Sequence, residues 1–518
     1  MGWDKTFNEK KSPTMIDIIK ILKERKKIIV LLILLLGVVV RAYYLLAPFV
    51  DSLVITPDES VYGLQALHFL KGDPTVFYWA QPYTGTPSAI ISSILFWIFS
   101  PSVILLKIVP FICSIAFIFT NYLLAKSVFK SEKMALLTLF ISAIGSPFWN
   151  NWSSRAGSGY PEASLLGNII LLLAIQKFWN DDNKGLLKTF LIGLFCGFGF
   201  WIQPTIVYYA IPVLVFLLLW FFRNRVGIMG GLRDLGVFST GAIIGMAPVI
   251  YHNLVNPAAT TTAALIKTPW GEKDAFLGLV TKSFPILLGT RTSWSEIDFF
   301  LPLAITVWSI FAFSLGWFSI GIVRGIRRDW RNLGAECLLA AVFLTTVAVF
   351  CLSGSFGQLV LEPRYVLALY SFIPLVIAFF VSKWRVLTYL AILIFFLNFL
   401  VGIFSAPPFS FTNPYKLDKI ISYLESNNLL FVRSDAELAH RLMFLSNEKI
   451  IASVSEGGMM AQRRREYEDL VKSATKQETA YVFRNSSKIL PGLFKQIQNE
   501  GYQKVFEDSE ISVFVFGK

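Results

Sequence analysis

Two carboxylates, Asp58 and Glu59, stand side by side in "VITPDESVYGLQALHFLKGD" (Val54 to Asp73), directly after an apolar run long enough to cross a bilayer. Arg155 sits in "SSRAGSGYPE", and Glu362 and Arg364 in "LEPRY", each at the edge of another apolar run. Ionisable groups at such depths are costly and face a polar cavity or a partner. Singly, each could snorkel or pair, Glu362 with Arg364 for example. As a set, two acids and two arginines on one face of a membrane suggest a site. Breaking a sugar–phosphate bond is one chemistry that uses it. The departing phosphate gains negative charge, and arginine offers a permanent charge in a forked geometry. A hydroxyl attacking the anomeric carbon from the opposite side must lose a proton, and a carboxylate there can act as general base, worth about 10²–10⁴-fold. Base and phosphate clamp then belong on opposite sides of one sugar-sized pocket.

The elements that must position these residues are membrane spans. Hydrophobic residues make up 55% of the chain, charged ones only 16%, and mean hydropathy is +0.59. Apolar runs fall at about 28–48, 103–126, 134–150, 161–178, 188–203, 205–222, 235–252, 299–322, 334–352, 365–381 and 385–404. They predict an α-helical polytopic membrane protein with eleven spans. The twelfth apolar stretch, "SAIISSILFWIF" (Ser88 to Phe99), is short and stopped by Pro101, so it reads as an interfacial helix. Charge supports that choice. If it does not cross, "KSVFKSEK", "RNRVGIMGGLR", "RGIRRDWR" and "SKWR" all fall on the side of the N-terminus, as positive-inside sorting requires. The same sorting accounts for 47 Lys+Arg against 34 Asp+Glu without nucleic acid. This topology puts residues 1–27 in the cytoplasm, a catalytic module at 28–410 with its first outer loop at 49–102, and an extracytoplasmic α/β domain at 411–518. The first run lacks a small-residue cleavage site and reads as a retained span. The four cysteines lie inside apolar runs, and the three histidines have no ligand spacing to them, so no metal is expected from those residues.

The tail alternates helical periods ("YKLDKIISYLESNN", "AELAHRLMFL") with strand-like runs ("LLFVRS", "KIIASV", "TAYVFR", "ISVFVF"). Its "MAQRRREYEDL" reads as a solvated helix, with Arg463–Arg465 as a weaker candidate for gripping an anionic polymer or headgroup. Trp149, Trp152, Tyr78 and Trp79 fit interfacial aromatic belts better than sugar stacking. Lys267, Lys273, Lys282 and Arg291 could meet a phosphate, but their loop, 253–298, reads as a mobile lid and nothing in the sequence chooses among them. The run "VYGLQALHFL" places Tyr62, Ala66 and Phe69 on one face of a helix lying along the surface.

The acidic pair in "PDESVY", the arginine in "SSRAGSGYPE" and "EPRYVLALYSFIPLV" entering a late span together resemble the GT-C glycosyltransferases. The nearest types are the protein O-mannosyltransferases and the bacterial aminoarabinose transferases for lipid A. The resemblance covers about residues 28–405. It implies an inverting enzyme using a polyprenyl-phosphate sugar donor on the non-cytoplasmic face, with a lipid, glycan or protein acceptor. It makes Asp58 the catalytic base, Glu59 a structural or acceptor-facing second acid, and Arg155 and Arg364 the donor-phosphate contacts. Tyr62, Gln81, Tyr83, Glu362 and Tyr365 become substrate-binding candidates. Gln81, in "YWAQPYTGTP", stands where the lipid A transferases carry a lysine, so one cation of the pattern is missing. No cofactor is required, though a divalent metal is possible, as in relatives with pyrophosphate donors. The alternatives are a metal-dependent oligosaccharyltransferase and a lipid-linked sugar flippase or transporter.

Overall fold

The structure, a computed structural model, describes residues 15–46, 55–179, 185–223, 228–257, 274–293, 297–329, 333–352, 360–405, 417–455, 461–487, 490–507 and 510–517. Among them, nine helices are long and apolar enough to cross a membrane, and one bent pair can form a tenth span. The chain is an integral membrane protein. Its first part runs α1 (Met15–Leu46), α2 (Pro57–Leu70), a hairpin of β1 (Phe77–Tyr78) and β2 (Gln81–Gly85), α3 (Pro87–Phe99), α4 (Val103–Phe129), α5 (Glu132–Ile144), α6 (Pro147–Trp152) and α7 (Tyr160–Trp179). Six more candidate spans follow, from Gly185–Ile202 to Arg385–Ser405.

The expected spans at 134–150 and 235–252 are sharply broken. The run at 134–150 stops at Gly145, whose φ is 57°. There Ser146 caps a new helix through Trp149 N and Pro147 opens it, so "GSP" ends α5 and starts α6. With 13 residues α5 is about 20 Å long, short of a hydrocarbon core of about 30 Å. The run at 235–252 bends by 63° between Ile228–Gly245 and Ala247–Val255. The helix α3 also has only 13 residues. It turns Ala89 and Phe96 inward and leaves Ile91, Ile94, Trp97 and Ile98 exposed, the disposition of a helix lying in a bilayer interface.

The C-terminal domain carries a five-stranded sheet, ordered β4-β3-β5-β7-β6, from β3 (Phe431–Ser434), β4 (Ile451–Val454), β5 (Thr479–Arg484), β6 (Tyr502–Glu507) and β7 (Ile511–Phe516). Strands β3, β4 and β5 are parallel, while β7 is antiparallel to both β5 and β6. The fifth strand, β6, was not expected, because Gln503, Lys504 and Glu507 dilute its apolar pattern at the sheet edge.

This domain shares one hydrophobic core with the segment after α1. Ile55, Leu64, Leu67, Trp79 and Phe96 pack in the same cluster as Val432, Leu438, Leu442, Met443 and Phe444. The approach is close enough to need glycine, since a Cβ on Gly63 would lie 2.3 Å from the Phe444 ring. The helix α2 is therefore not a surface helix with one apolar face. It is buried from Glu59 through Leu67, because the helix Ala436–Leu445 covers the side expected to face water.

A polar network closes the rim of this joint. His68 Nδ1 meets Asp73 Oδ2 at 2.8 Å, and its Nε2 meets Glu448 Oε1 and the Tyr467 hydroxyl at 2.9 Å each. Lys71 donates to Glu448 at 2.6 Å, and Arg464 donates to Asp73 at 2.6 Å and also faces His68 Nδ1 at 3.0 Å. Burial disfavours charge on His68, but hydrogen bonds to Glu448 and Asp73 outweigh it and hold the imidazole above its ordinary value. Glu448, despite its burial, is held at about 2 by His68, Lys71 and Tyr467. A histidine raised on folding stabilises fully below its unfolded value, about 6.5, and loses that contribution as pH rises through the folded value. Domain melting, followed by scanning fluorimetry in lipid nanodiscs, is therefore expected to fall as pH rises above about 6.5, and His68→Gln to flatten the change. A wild-type profile that rises there contradicts the assignment.

Candidate active site

The start of α2 is built by "TPDE". Thr56 Oγ1 accepts from Glu59 N at 3.2 Å, and Glu59 Oε2 accepts from Thr56 N at 2.9 Å, a reciprocal capping box with Pro57 at the first helical position. This fixes opposite directions for the two acids. Glu59 points inward and is 1% exposed, whereas the Asp58 side chain is 71% exposed.

Glu59 is fully committed. Its Oε1 pairs with Lys107 Nζ at 2.8 Å and accepts from Ala156 N at 3.0 Å. Burial alone would raise its pKa, but the charge and hydrogen bond of Lys107 and the two backbone donors override this and hold it low, so the carboxylate is ionised. Its partner Lys107 escaped the sequence reading because it stands inside the apolar "SVILLKIVPF". A lone lysine in such a run was the available signal.

The bond to Ala156 anchors the loop that carries Arg155. On its other side Gly157, at φ +70°, lies against the Tyr62 ring, where a Cβ would come within 1.8 Å. Held so, Arg155 sits over the Trp152 ring with its guanidinium carbon 4.5 Å from the centroid. Arg364 lies over the same ring at 5.6 Å and over Tyr365 at 5.3 Å. One tryptophan thus carries both arginines, and their separation cannot exceed the sum of those distances to it. Burial lowers the affinity of Arg155 for its proton, while the charges of Glu59, Glu362 and Asp58 oppose that effect, so all three acids lie within electrostatic reach.

Asp58 Oδ1 accepts from the Tyr78 hydroxyl at 2.9 Å and from Arg463 Nη2 at 3.1 Å. Burial, and then the charge of Asp58, keep Tyr78 protonated and so a donor. Tyr83 lies within range of Tyr365, Arg364, Arg463 and Asp58. Tyr62 is buried, donates to Gly85 O at 3.2 Å and packs on Tyr78 at 4.8 Å, so it supports the hairpin from behind. Gln81 opens β2 half-buried. The hairpin is held by Gln65, which donates to Thr75 and Phe77, and by Trp201 Nε1, which donates to Val76 O at 2.9 Å.

Several expectations change here. Trp149, Trp152, Tyr78 and Trp79 are all buried, so they form no interfacial belt. Arg463 and Arg464 are engaged with Asp58 and Asp73, so that stretch is no free solvated face. Arg291 is held bidentately by Asp298 at 3.0 and 2.9 Å, and Lys282 lies in the π-helix Leu279–Ser283. Lys267 and Lys273 lie outside the described residues. Among the described residues no three His, Cys, Asp or Glu side chains converge on a point that could hold a metal ion.

Comparison with known proteins agrees with this architecture. Residues 61–252 match the family described as dolichyl-phosphate-mannose-protein mannosyltransferase; the match includes Arg155 but begins after Asp58 and ends before Arg364. No curated protein matches the chain in sequence. ArnT from Cupriavidus metallidurans, bound to undecaprenyl phosphate, superposes with a TM-score of 0.65 at 10% identity, covering 94% of this chain and 97% of that one. The Archaeoglobus fulgidus oligosaccharyltransferase in complex with Zn and sulfate gives 0.54 at 11% identity, over 93% of this chain and 73% of that one. The chain therefore has the GT-C fold, and its sequence resembles the mannosyltransferase family over residues 61–252.

Lys107→Met would leave the buried Glu59 charge without a partner, at a cost of about 3–5 kcal/mol, and adding Glu59→Gln should recover most of it. Thermal unfolding of the single and double variants measures this. Equal loss in both would show that the uncompensated Glu59 charge is not the cause.

Proposed function

We propose that this chain is an integral membrane glycosyltransferase. It moves a sugar from a polyprenyl-phosphate-linked donor to an acceptor hydroxyl, with inversion, on the extracytoplasmic face. One observation carries the reading: an exposed carboxylate, Asp58, lies within electrostatic reach of one of two arginines that share a tryptophan, inside a GT-C fold. Asp58 takes the proton of the acceptor hydroxyl as its oxygen bonds to the anomeric carbon. The sugar–phosphate bond breaks, and its electron pair leaves on the phosphate, where Arg155 and Arg364 hold the charge. Tyr83, Tyr365, Gln81 and Glu362 would contact the sugar, with Tyr62 supporting the hairpin behind them. Glu59 positions rather than reacts, since it is buried and both its oxygens are engaged, with Lys107, Thr56 and Ala156. The module at 28–410 would supply the chemistry, and the domain at 411–518 would stand on the same outer face. The acceptor would be a lipid, glycan or protein hydroxyl.

A metal-dependent oligosaccharyl transfer rests on fold likeness alone. The donor set does not fit a divalent ion, because Arg463 faces Asp58 and Lys107 faces Glu59, so no step runs through one.

The test is purified full-length protein with a panel of polyprenyl-phosphate sugars, with and without chelator. Asp58→Asn should lower turnover about 10²–10⁴-fold while donor binding persists. Full turnover by that variant would sink the mechanism. Loss on chelation would shift the reading to metal-dependent transfer, and lipid-linked sugar movement without covalent product would make the chain a flippase.

A further inference from the structure

The geometry points to Arg463 as a positioning residue for Asp58, which makes docking of the C-terminal domain a condition for a correctly aimed base. This rests on Asp58 being the base of the proposed reaction. Arg463 and Tyr78 both bind Oδ1 of Asp58, at 3.1 and 2.9 Å. The other oxygen, Oδ2, takes no hydrogen bond from the described residues, so the carboxylate is turned to present one defined oxygen to an incoming hydroxyl. The arginine is itself held in place. Its guanidinium lies over the Tyr78 ring at 4.8 Å, donates to Trp79 O at 3.5 Å, and is only 12% exposed although its partner is largely open.

Its backbone is equally constrained. Arg463 has φ +65°, a left-handed conformation that a side chain resists and that persists only where the surroundings dictate it. Gln462, 2% exposed, supplies that constraint: it accepts from Val454 N at 2.6 Å and from Arg464 N at 2.8 Å, and donates to Arg464 O at 3.1 Å. The adjacent arginines divide two tasks. Arg464 binds the rim at Asp73 and lies over Trp79 at 4.9 Å, while Arg463 reaches the carboxylate. Docking alone would require only the first.

The experiment compares Arg463→Gln, Arg463→Lys and Arg464→Gln in the full chain, using whichever polyprenyl-phosphate sugar of the panel the wild type turns over. The expected result for Arg463→Gln is a fall in kcat of about tenfold or more, with donor KM within about threefold of wild type. Arg463→Lys should restore most of the kcat, and Arg464→Gln should lower thermal stability with a smaller change in kcat. An unchanged or raised kcat in Arg463→Gln overturns the inference. So does a loss that Lys does not rescue and that tracks melting temperature equally in Arg463→Gln and Arg464→Gln. A second arm needs no donor. Asp58→Cys with Arg463→Cys in native membranes, treated with a short bis-maleimide, should give a cross-linked peptide by mass spectrometry, and its absence overturns the contact. If the wild type turns over no donor while the cross-link forms, the proposed function falls and the placement of Arg463 stands.

Discussion

The Glu59–Lys107 ion pair is the constraint on which the site depends. Both side chains are buried, and a buried charge left alone costs several kcal/mol, so neither can leave the other. The same carboxylate caps α2 at Thr56 and holds the backbone at Ala156. It therefore locks three separate pieces of chain together: the entry to α2, the first turns of α4 and the loop before α7. Two consequences follow at once. Asp58, one residue earlier on the helix, must point the other way, and Arg155, one residue before Ala156, must come down over Trp152.

The C-terminal domain enters the site from the opposite side. It shares the hydrophobic core of α2, the hairpin and α3, and a network around His68 seals the rim. Such a joint is rigid in its middle and ionic at its edge. The middle fixes where the domain sits, and the edge makes the strength of docking depend on pH. Arg463 connects that joint to the one exposed carboxylate of the pair. A movement of the domain would therefore be felt first at Asp58.

Much of the candidate site could be read from residue types. Acids and arginines at span edges are too costly to be incidental, and they picked out Asp58, Arg155, Glu362 and Arg364. The "TPDE" capping box, a local signal, also contained the different fates of Asp58 and Glu59. Other residues were not legible for physical reasons. A tryptophan near the end of a span has the same sequence signature whether it faces lipid or packs inside, so Trp152 read as a belt residue. A basic run is solvated by default, and nothing local in "QRRRE" indicates that two of its arginines meet acids about four hundred positions earlier.

By itself the sequence determined the membrane helices, the short α3 and the alternating tail, because hydrophobic length and periodicity act within a single segment. "GSP" after α5 is likewise local and decides where that span breaks. Only the tertiary structure decided which faces of α2 are covered, which acid is buried, and which cation reaches Asp58. Those outcomes depend on segments far apart in the chain meeting in space. Burial and the pairing of charges are properties of that meeting and not of any one segment.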